Sequence, residues 1–403
     1  MTGRRDRGQM ETGDLTVFGG AALAPRWRTS HFVFIREDVG YHDLIRKTRD
    51  LSQHERTAIQ LGIHRPFTFD QLVSICNLSA ESAQRILSDL SEEGWIVLDS
   101  VDESTSFQIH RVDIETFRQC NARCGYCPQS TNPKPRGVME IDLFGRIAAS
   151  ISPYQPWSVA LNHYGEPLLD PFFRERCDIL KSHNLLMLLF TNGTQLDDDL
   201  CKFVIDQCQM RAIVFNYPSA DPAEWSRFMR IPKAFHRRVT TAIRRIAERV
   251  CVPVVIDVNG ITDCHERRTM QIQHFFRSQT NIKVERIRSN DRAGSHQELV
   301  AITKPMLDLK LAGCERILCH MHVRYDGAVY LCCQDYEQRN LHGNIVFQTP
   351  AEIMGGAEAS LLRSQIFGMV EAPANLICRS CSSLRRRRES DKRSWVRWTK
   401  ESL

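Results

Sequence analysis

Cys120-Asn121-Ala122-Arg123-Cys124-Gly125-Tyr126-Cys127 is the stretch that decides the fold. Three cysteines in C-x3-C-x2-C spacing follow an apolar segment that ends at Asp113-Ile114-Glu115-Thr116. Thiolates at this spacing can reach three corners of an iron–sulfur cube and leave the fourth iron without a protein ligand. A zinc knuckle would need a fourth ligand, and no histidine stands at the matching offset. The 403 residues carry 15 cysteines. The start Met1-Thr2-Gly3-Arg4-Arg5-Asp6 leads into no apolar core of a signal peptide, which reads as cytoplasmic. Thiols stay reduced there, so clustered cysteines point to metal or thiol chemistry.

Outward from this loop the texture is α/β. Short apolar strands are expected at Ile109–Ile114, Trp157–Asn162, Leu185–Phe190, Arg211–Phe215, Val252–Val258 and Ile282–Arg286. Helical patterns lie between several of them, as at Ile141–Ile151 and Asp198–Asp206. Such alternation predicts a parallel sheet, open or closed into a barrel, with function at the C-terminal strand ends. Before it, residues 31–36 and 41–46 read as two strands around an Asp38-Val39-Gly40 turn. Helices follow near Ser52–Leu61, Thr68–Cys76 and Ser79–Gly94, then a strand at Trp95–Leu98. In the third helix Ala83, Ile86, Leu87 and Leu90 share one face, between a Ser79 cap and a Gly94 stop. Strands, three helices and a strand make a winged-helix-like unit. The expected domains are 1–29 a disordered lead, 30–105 this unit, 106–311 the α/β core, 312–384 a small Cys-rich domain and 385–403 a basic tail.

The central loop, with Tyr126 at its aromatic position, resembles the cluster motif of the radical S-adenosylmethionine (SAM) superfamily. Tyr164-Gly165-Glu166-Pro167, after the second strand, is similar to the family's Gly-Gly-Glu-Pro motif, with Tyr164 in place of the first glycine. The resemblance implies a partial (βα)6 barrel from about 107 to 300. It implies SAM held by Tyr126, Gly165, Glu166, Asn192, Asn216 and Arg230, with Val258 and Arg292 as weaker matches. It also implies a 4Fe–4S cluster on Cys120, Cys124 and Cys127. Reduction by an external flavodoxin- or ferredoxin-like donor would cleave SAM to a 5′-deoxyadenosyl radical, which abstracts hydrogen from a substrate C–H bond.

Cys314, Cys319, Cys332, Cys333, Cys378 and Cys381 form a second cluster in sequence. Arg324-Tyr325-Asp326-Gly327 reads as a hairpin turn between Met321–Val323 and Ala328–Leu331. With Leu341-His342-Gly343-Asn344-Ile345 and the closing C-x2-C, this region resembles the SPASM/twitch extension of radical SAM maturases. The resemblance implies one auxiliary 4Fe–4S cluster on Cys314, Cys332, Cys378 and Cys381, with Cys319 as the alternative to Cys314. Adjacent Cys332 and Cys333 would point to opposite faces of a strand, so only one faces the metal. Zinc is the rival occupant. Cys319 and Cys333 are left over, either as small buried hydrophobes or as a hydrogen-atom donor to a substrate radical. The scattered Cys76, Cys177, Cys201, Cys208, Cys251 and Cys264 read as core packing.

A composition of 42% hydrophobic and 25% charged residues excludes a disordered or fibrous chain. Its apolar runs fall short of the roughly 18 residues of a membrane span. Net charge is +5, concentrated between 385 and 400, where eight basic residues face two acidic ones. That tail reads as a solvated extension, or as a patch for RNA, an acidic peptide or a partner. The third N-terminal helix has Arg85 as its one basic residue against Glu81, Asp89, Glu92 and Glu93, which argues against DNA reading. A winged helix before such a core resembles the peptide-recognition element of ribosomal peptide maturases, which adds a leader peptide as a strand. The expected substrate is therefore a ribosomally made precursor peptide. The alternative is a small molecule, as for a dehydrogenase or epimerase of aminosugar or antibiotic biosynthesis.

Overall fold

Each helix of the N-terminal unit starts on a hydroxyl side chain. The computed structural model describes residues 24–30, 33–36, 39–42, 47–101, 107–260, 264–296, 299, 310–382 and 386–387. Two units emerge: Met1–Ser30 with Ser52–Val101, and His31–Leu51 with Asp102–Leu403. The first element among the described residues is β1 (Arg26–Thr29). Next come β2 (Val33–Arg36), β3 (Val39–His42) and β4 (Lys47–Asp50), an antiparallel meander of the second unit. Then follow α1 (Gln53–His64), β5 (Phe67–Thr68), α2 (Phe69–Cys76), α3 (Ala80–Glu92) and β6 (Ile96–Leu98). Ser52 and Glu55 close a capping box on α1, Thr68 and Gln71 do the same on α2, and Ser79 caps α3. Gly94 ends the run at φ +74°, a conformation that favours glycine.

The N-terminal sheet has the order β5-β1-β6, all antiparallel. Its central strand, Arg26–Thr29, lies inside the stretch expected to be a lead. Two arginines hide it from a hydrophobic pattern, and pairing on both sides makes it a strand: Trp27 opposes Phe67 and Leu98. The expected turn at 38–40 is also shorter. Val39 and Gly40 pair with Arg36 and Ile35, so they already belong to β3. Residues 43–46 of the second expected strand lie outside the described residues, as do most of the lead and of the basic tail.

The second unit carries the expected alternation. Its elements are β7 (Arg111–Ile114), α4 (Ile141–Ile151), β8 (Ser158–Ala160), α5 (Phe173–Ser182), β9 (Met187–Thr191), α6 (Asp198–Asp206) and β10 (Met210–Asn216). They continue with α7 (Pro222–Met229), α8 (Ala234–Arg249), β11 (Val254–Gly260), α9 (Cys264–Phe275) and β12 (Ile282–Arg288). Strands β7 to β12 are parallel and neighbours in sequence order. Alternate residues serve opposite faces. Ile213, Phe215, Val254, Ile256 and Val258 join the main core, which also takes Val239, Ile243 and Ile246 of α8. Ala160, Leu188, Ala212 and Val214 make a separate small core on the other face.

The C-terminal part adds β13 (Lys310–Leu311), α10 (Arg316–Cys319), β14 (His320–Val323), β15 (Ala328–Tyr330), β16 (Leu341–Asn344), α11 (Pro350–Gly355), α12 (Ala357–Ile366) and β17 (Arg386–Arg387). Strand β14 lies parallel to β7, in the register His320 to Arg111. The β14–β15 hairpin therefore extends the core sheet, which reaches nine strands among the described residues. Gly327, at φ +89°, makes the tight turn at the expected Asp-Gly. Arg386–Arg387, from the head of the basic tail, pairs with Lys310–Leu311.

Candidate functional site

The cysteine loop leaves the C-terminal end of β7 and is fastened to the end of α7. Arg123 N–H donates to Met229 O at 3.1 Å and Gly125 N–H to Phe228 O at 3.0 Å. Fully buried Met229 lies under the loop, its sulfur 3.7 Å from Cys124 Sγ and 3.3 Å from the Tyr126 hydroxyl. Two amides approach the thiols from neighbouring strand ends. Asn192 Nδ2 is 3.8 Å from Cys120 Sγ, and Asn216 Nδ2 is 4.0 Å from Cys124 Sγ. Burial pushes the Cys120 thiol up to about 12, with the Glu166 charge adding to it, and burial likewise raises Cys124 and Cys127.

The loop after β8 is zipped to the cysteine loop by Glu166 N–H donating to Gln119 O at 2.9 Å. Gly165 is required there for space: a Cβ would lie 1.9 Å from the Phe117 carbonyl oxygen. Glu166 is buried and accepts three hydrogen bonds, from Thr191 Oγ1 at 2.6 Å, Asn192 N at 2.8 Å and Leu168 N at 3.2 Å. Burial outweighs these bonds and raises its carboxyl to about 7. The Asn192 side chain is fixed in turn. Its amide donates to Asn121 Oδ1 at 2.9 Å, and its Oδ1 accepts from Thr194 N at 2.9 Å and Thr194 Oγ1 at 2.6 Å.

These strand ends enclose a cavity of about 280 Å³. Cys120, Cys124, Cys127, Tyr126, Gly165, Glu166, Asn192 and Asn216 all line it, so most of the sequence-predicted SAM and cluster residues meet in one place. Arg230 is not among the lining residues; it closes α7 in the left-handed conformation, at φ +53°. Val258 is buried in the main core on the other face of β11. Arg292 does line the cavity, its guanidinium over the Tyr164 ring at 5.6 Å. A larger cavity of about 840 Å³, lined by Phe107, Tyr154, Trp157 and Arg211, holds none of the cysteines.

The second set of cysteines divides. Cys332, Cys378 and Cys381 are buried in a small core with Leu311, Ile317 and Phe367, and Cys314 packs against it. Cys333 instead lines the first cavity, and its carbonyl accepts from the Tyr164 hydroxyl at 2.7 Å. Cys319 is buried at the end of α10, with its sulfur 3.4 Å from Glu315 O. Among the described residues, no three His, Cys, Asp or Glu side chains are placed to hold a single metal ion. The four ligands of a cube each bind a different iron, so they stand further apart than the ligands of one ion. Of the scattered cysteines, Cys177 and Cys201 are buried. Cys251 is exposed, against the core reading, because it falls in the turn between α8 and β11. The side chain of Cys264 lies outside the described residues.

The family model described as Radical SAM superfamily matches residues 114–271, and the SPASM model, an iron-sulfur cluster-binding domain, matches residues 314–382. The chain carries a radical SAM domain followed by a SPASM domain. As a radical SAM enzyme with SPASM, it binds SAM, a 4Fe–4S cluster and an auxiliary cluster. No curated protein matches it. Its fold is similar to Streptococcus suis SuiB bound to precursor peptide SuiA, at 11% identity and TM-score 0.52, covering 88% of this chain and 94% of that one. SuiB bound to S-adenosylmethionine is similar at 12% identity and TM-score 0.50, covering 84% and 90%. BtrN in complex with AdoMet and 2-DOIA is 15% identical at TM-score 0.46, covering 68% and 92%.

The same cavity is also lined by residues that sequence reasoning missed: Arg111, Asp113, Asn162, His163, Asp257 and Asn259. A signal existed for the last two. Asp257 and Asn259 are polar positions two apart within the apolar run Val254–Val258 and its end, the mark of a strand with one face turned to a site. No helix among the described residues is long and apolar enough to cross a membrane.

Proposed function

We infer that this radical SAM enzyme abstracts hydrogen from a ribosomally made precursor peptide. The observation that supports this best is the reach of the likeness to SuiB solved with its precursor peptide. It covers 88% of this chain, whereas residues 107–382 make up about two thirds, so it takes in part of the N-terminal region. The sheet β5-β1-β6 leaves the outer edges of β5 and β6 unpaired among the described residues, and a leader could add there as a strand.

In this reading Cys120, Cys124 and Cys127 hold the SAM-binding cluster. The donor set fits: Cys124 is buried and Cys120 and Cys127 half-buried, and the three sulfurs, neutral as bare thiols, become thiolates when they ligate iron. When bound, cluster and SAM supply a carbon radical able to take hydrogen from an unactivated C–H bond. The residues of the chain orient and enclose it. Glu166, fixed by Thr191 and Asn192, faces the amino group of SAM. Asn216 faces the ribose, held by Asn259 Nδ2 donating to its Oδ1 at 2.9 Å. Arg292 suits the carboxylate better than Arg230 does, because it lines the cavity and its buried Nε has no hydrogen-bond partner among the described residues. Cys314, Cys332, Cys378 and Cys381 hold the auxiliary cluster. Of Cys319 and Cys333, the thiol that meets a substrate radical in this reading is Cys333, which lines the cavity.

Anaerobic full-length protein with SAM and a reductant should release 5′-deoxyadenosine, and release should rise when a cognate precursor peptide is added. A Cys120→Ala, Cys124→Ala, Cys127→Ala variant should release none. Undiminished release from that variant would refute the ligand assignment. Stimulation by an aminosugar and by no peptide would refute the substrate class.

A further inference from the structure

One carboxylate in the cavity is answered by no side chain among the described residues. Asp257 stands in the middle of β11, on the same face as Asn259, while its neighbours Ile256 and Val258 turn into the main core. The other charges on this face of the sheet are paired. Arg111 Nε meets Asp113 Oδ1 at 2.7 Å, and Lys283 Nζ meets Glu285 Oε1 at 2.6 Å. The Asn259 amide is spent on Asn216. Among the described residues, no hydrogen bond or ion pair reaches the Asp257 side chain.

Its register partner makes matters worse. Asp257 and Glu285 are register partners on β11 and β12, so two carboxylates stand side by side. Burial, and then the Glu285 charge, raise Asp257 to about 7. An acid held this way, facing a cavity, gains most from a cation. Glu285 lies on β12, the outer strand of the sheet among the described residues, where Lys283 pairs with it, so Asp257 is the carboxylate of the two left for a cation.

The roles already assigned to SAM do not call on this group: Glu166, Asn216 and Arg292 answer its amino, ribose and carboxylate groups. We propose that Asp257 is the substrate-recognition carboxylate, binding a primary amine or guanidinium that places the reacting C–H bond beside SAM. The proposal rests on the reading that substrate shares this cavity with SAM. It deepens the peptide reading, because a lysine or arginine side chain is the peptide source of such a cation. An amine of an aminosugar is the other source.

The test uses full-length protein reconstituted with its clusters and loaded with SAM. Ligand-observed NMR compares two cation–neutral pairs: N-acetyl-lysine amide against N-acetyl-norleucine amide, and glucosamine against glucose. A charge-assisted contact should favour one cation over its neutral partner by about tenfold or more. Asp257→Asn should remove that preference while binding SAM as tightly as the unsubstituted protein. Preference for the lysine amide supports the proposal and the peptide reading together. Preference for glucosamine alone supports the role of Asp257 and refutes the peptide reading. No preference in either pair overturns the proposal without any variant having to fold. Loss of SAM affinity in Asp257→Asn also overturns it, and assigns the carboxylate to the cofactor.

Discussion

Glu166 shows how one buried side chain ties stability to pH. Its carboxyl is raised to about 7 against an ordinary value of 4.5, so the folded state binds the proton more tightly than the unfolded state. The stability this contributes is full below about 4.5 and is lost as pH rises through about 7. Metal-free protein should therefore lose stability across that window by a few kcal/mol, about 1.4 kcal/mol per pKa unit. Denaturant titrations of Glu166→Gln should show a flatter dependence between pH 4.5 and 7. An unchanged slope would mean that Glu166 is not the group responsible. The same three hydrogen bonds that oppose the shift, from Thr191, Asn192 and Leu168, aim the carboxylate at the cavity. The motif Tyr164–Pro167 pointed to this role, but its partners on the β9 end came from pairing remote in sequence.

At the scale of elements, the cysteine loop is shaped by a helix about a hundred residues away. The C-terminal end of α7 accepts two loop amides through Phe228 and Met229 carbonyls, and the Met229 side chain fills the space under Cys124 and Tyr126. Met229→Ala should leave a cavity costing about 2–5 kcal/mol. A lower melting temperature should accompany a lower iron content per chain after reconstitution, since the loop loses its seat. Normal iron loading in a destabilised variant would show that the loop holds its shape without α7. The expected helices and parallel strands carry apolar residues at regular spacing, so they were legible. Strand β1 was not, because Arg26-Trp27-Arg28-Thr29 has no such spacing and depends on Phe67 and Leu98 on either side.

Across the whole second unit, two sets of sulfurs serve two places. Cys332 turns into the small core with Cys314, Cys378 and Cys381, while Cys333 lines the cavity that holds Cys120, Cys124 and Cys127, so one dipeptide joins both. Reconstituted protein should hold about eight irons if each place takes one cubane. Replacing Cys314, Cys332, Cys378 and Cys381 together should leave about four, and Cys333→Ala should leave about eight. Metal analysis of the three proteins checks this. Four irons with one zinc in the unsubstituted protein would mark the second site as structural zinc.

The local pattern by itself determined the Cys120–Cys127 motif, the alternation of strands and helices, the Ser79 cap and the Asp326-Gly327 turn. Each depends on residues close in sequence, where spacing alone fixes geometry. Only the tertiary structure decided that β14 runs parallel to β7 and carries the C-terminal hairpin into the core sheet. It also decided that Arg292 and not Arg230 lines the cavity, and that Asp257 stands there without a partner among the described residues. Those facts come from strand register and long-range packing. Backbone pairing is indifferent to side-chain identity, so a sequence read along its length cannot say which distant strand will supply the neighbour.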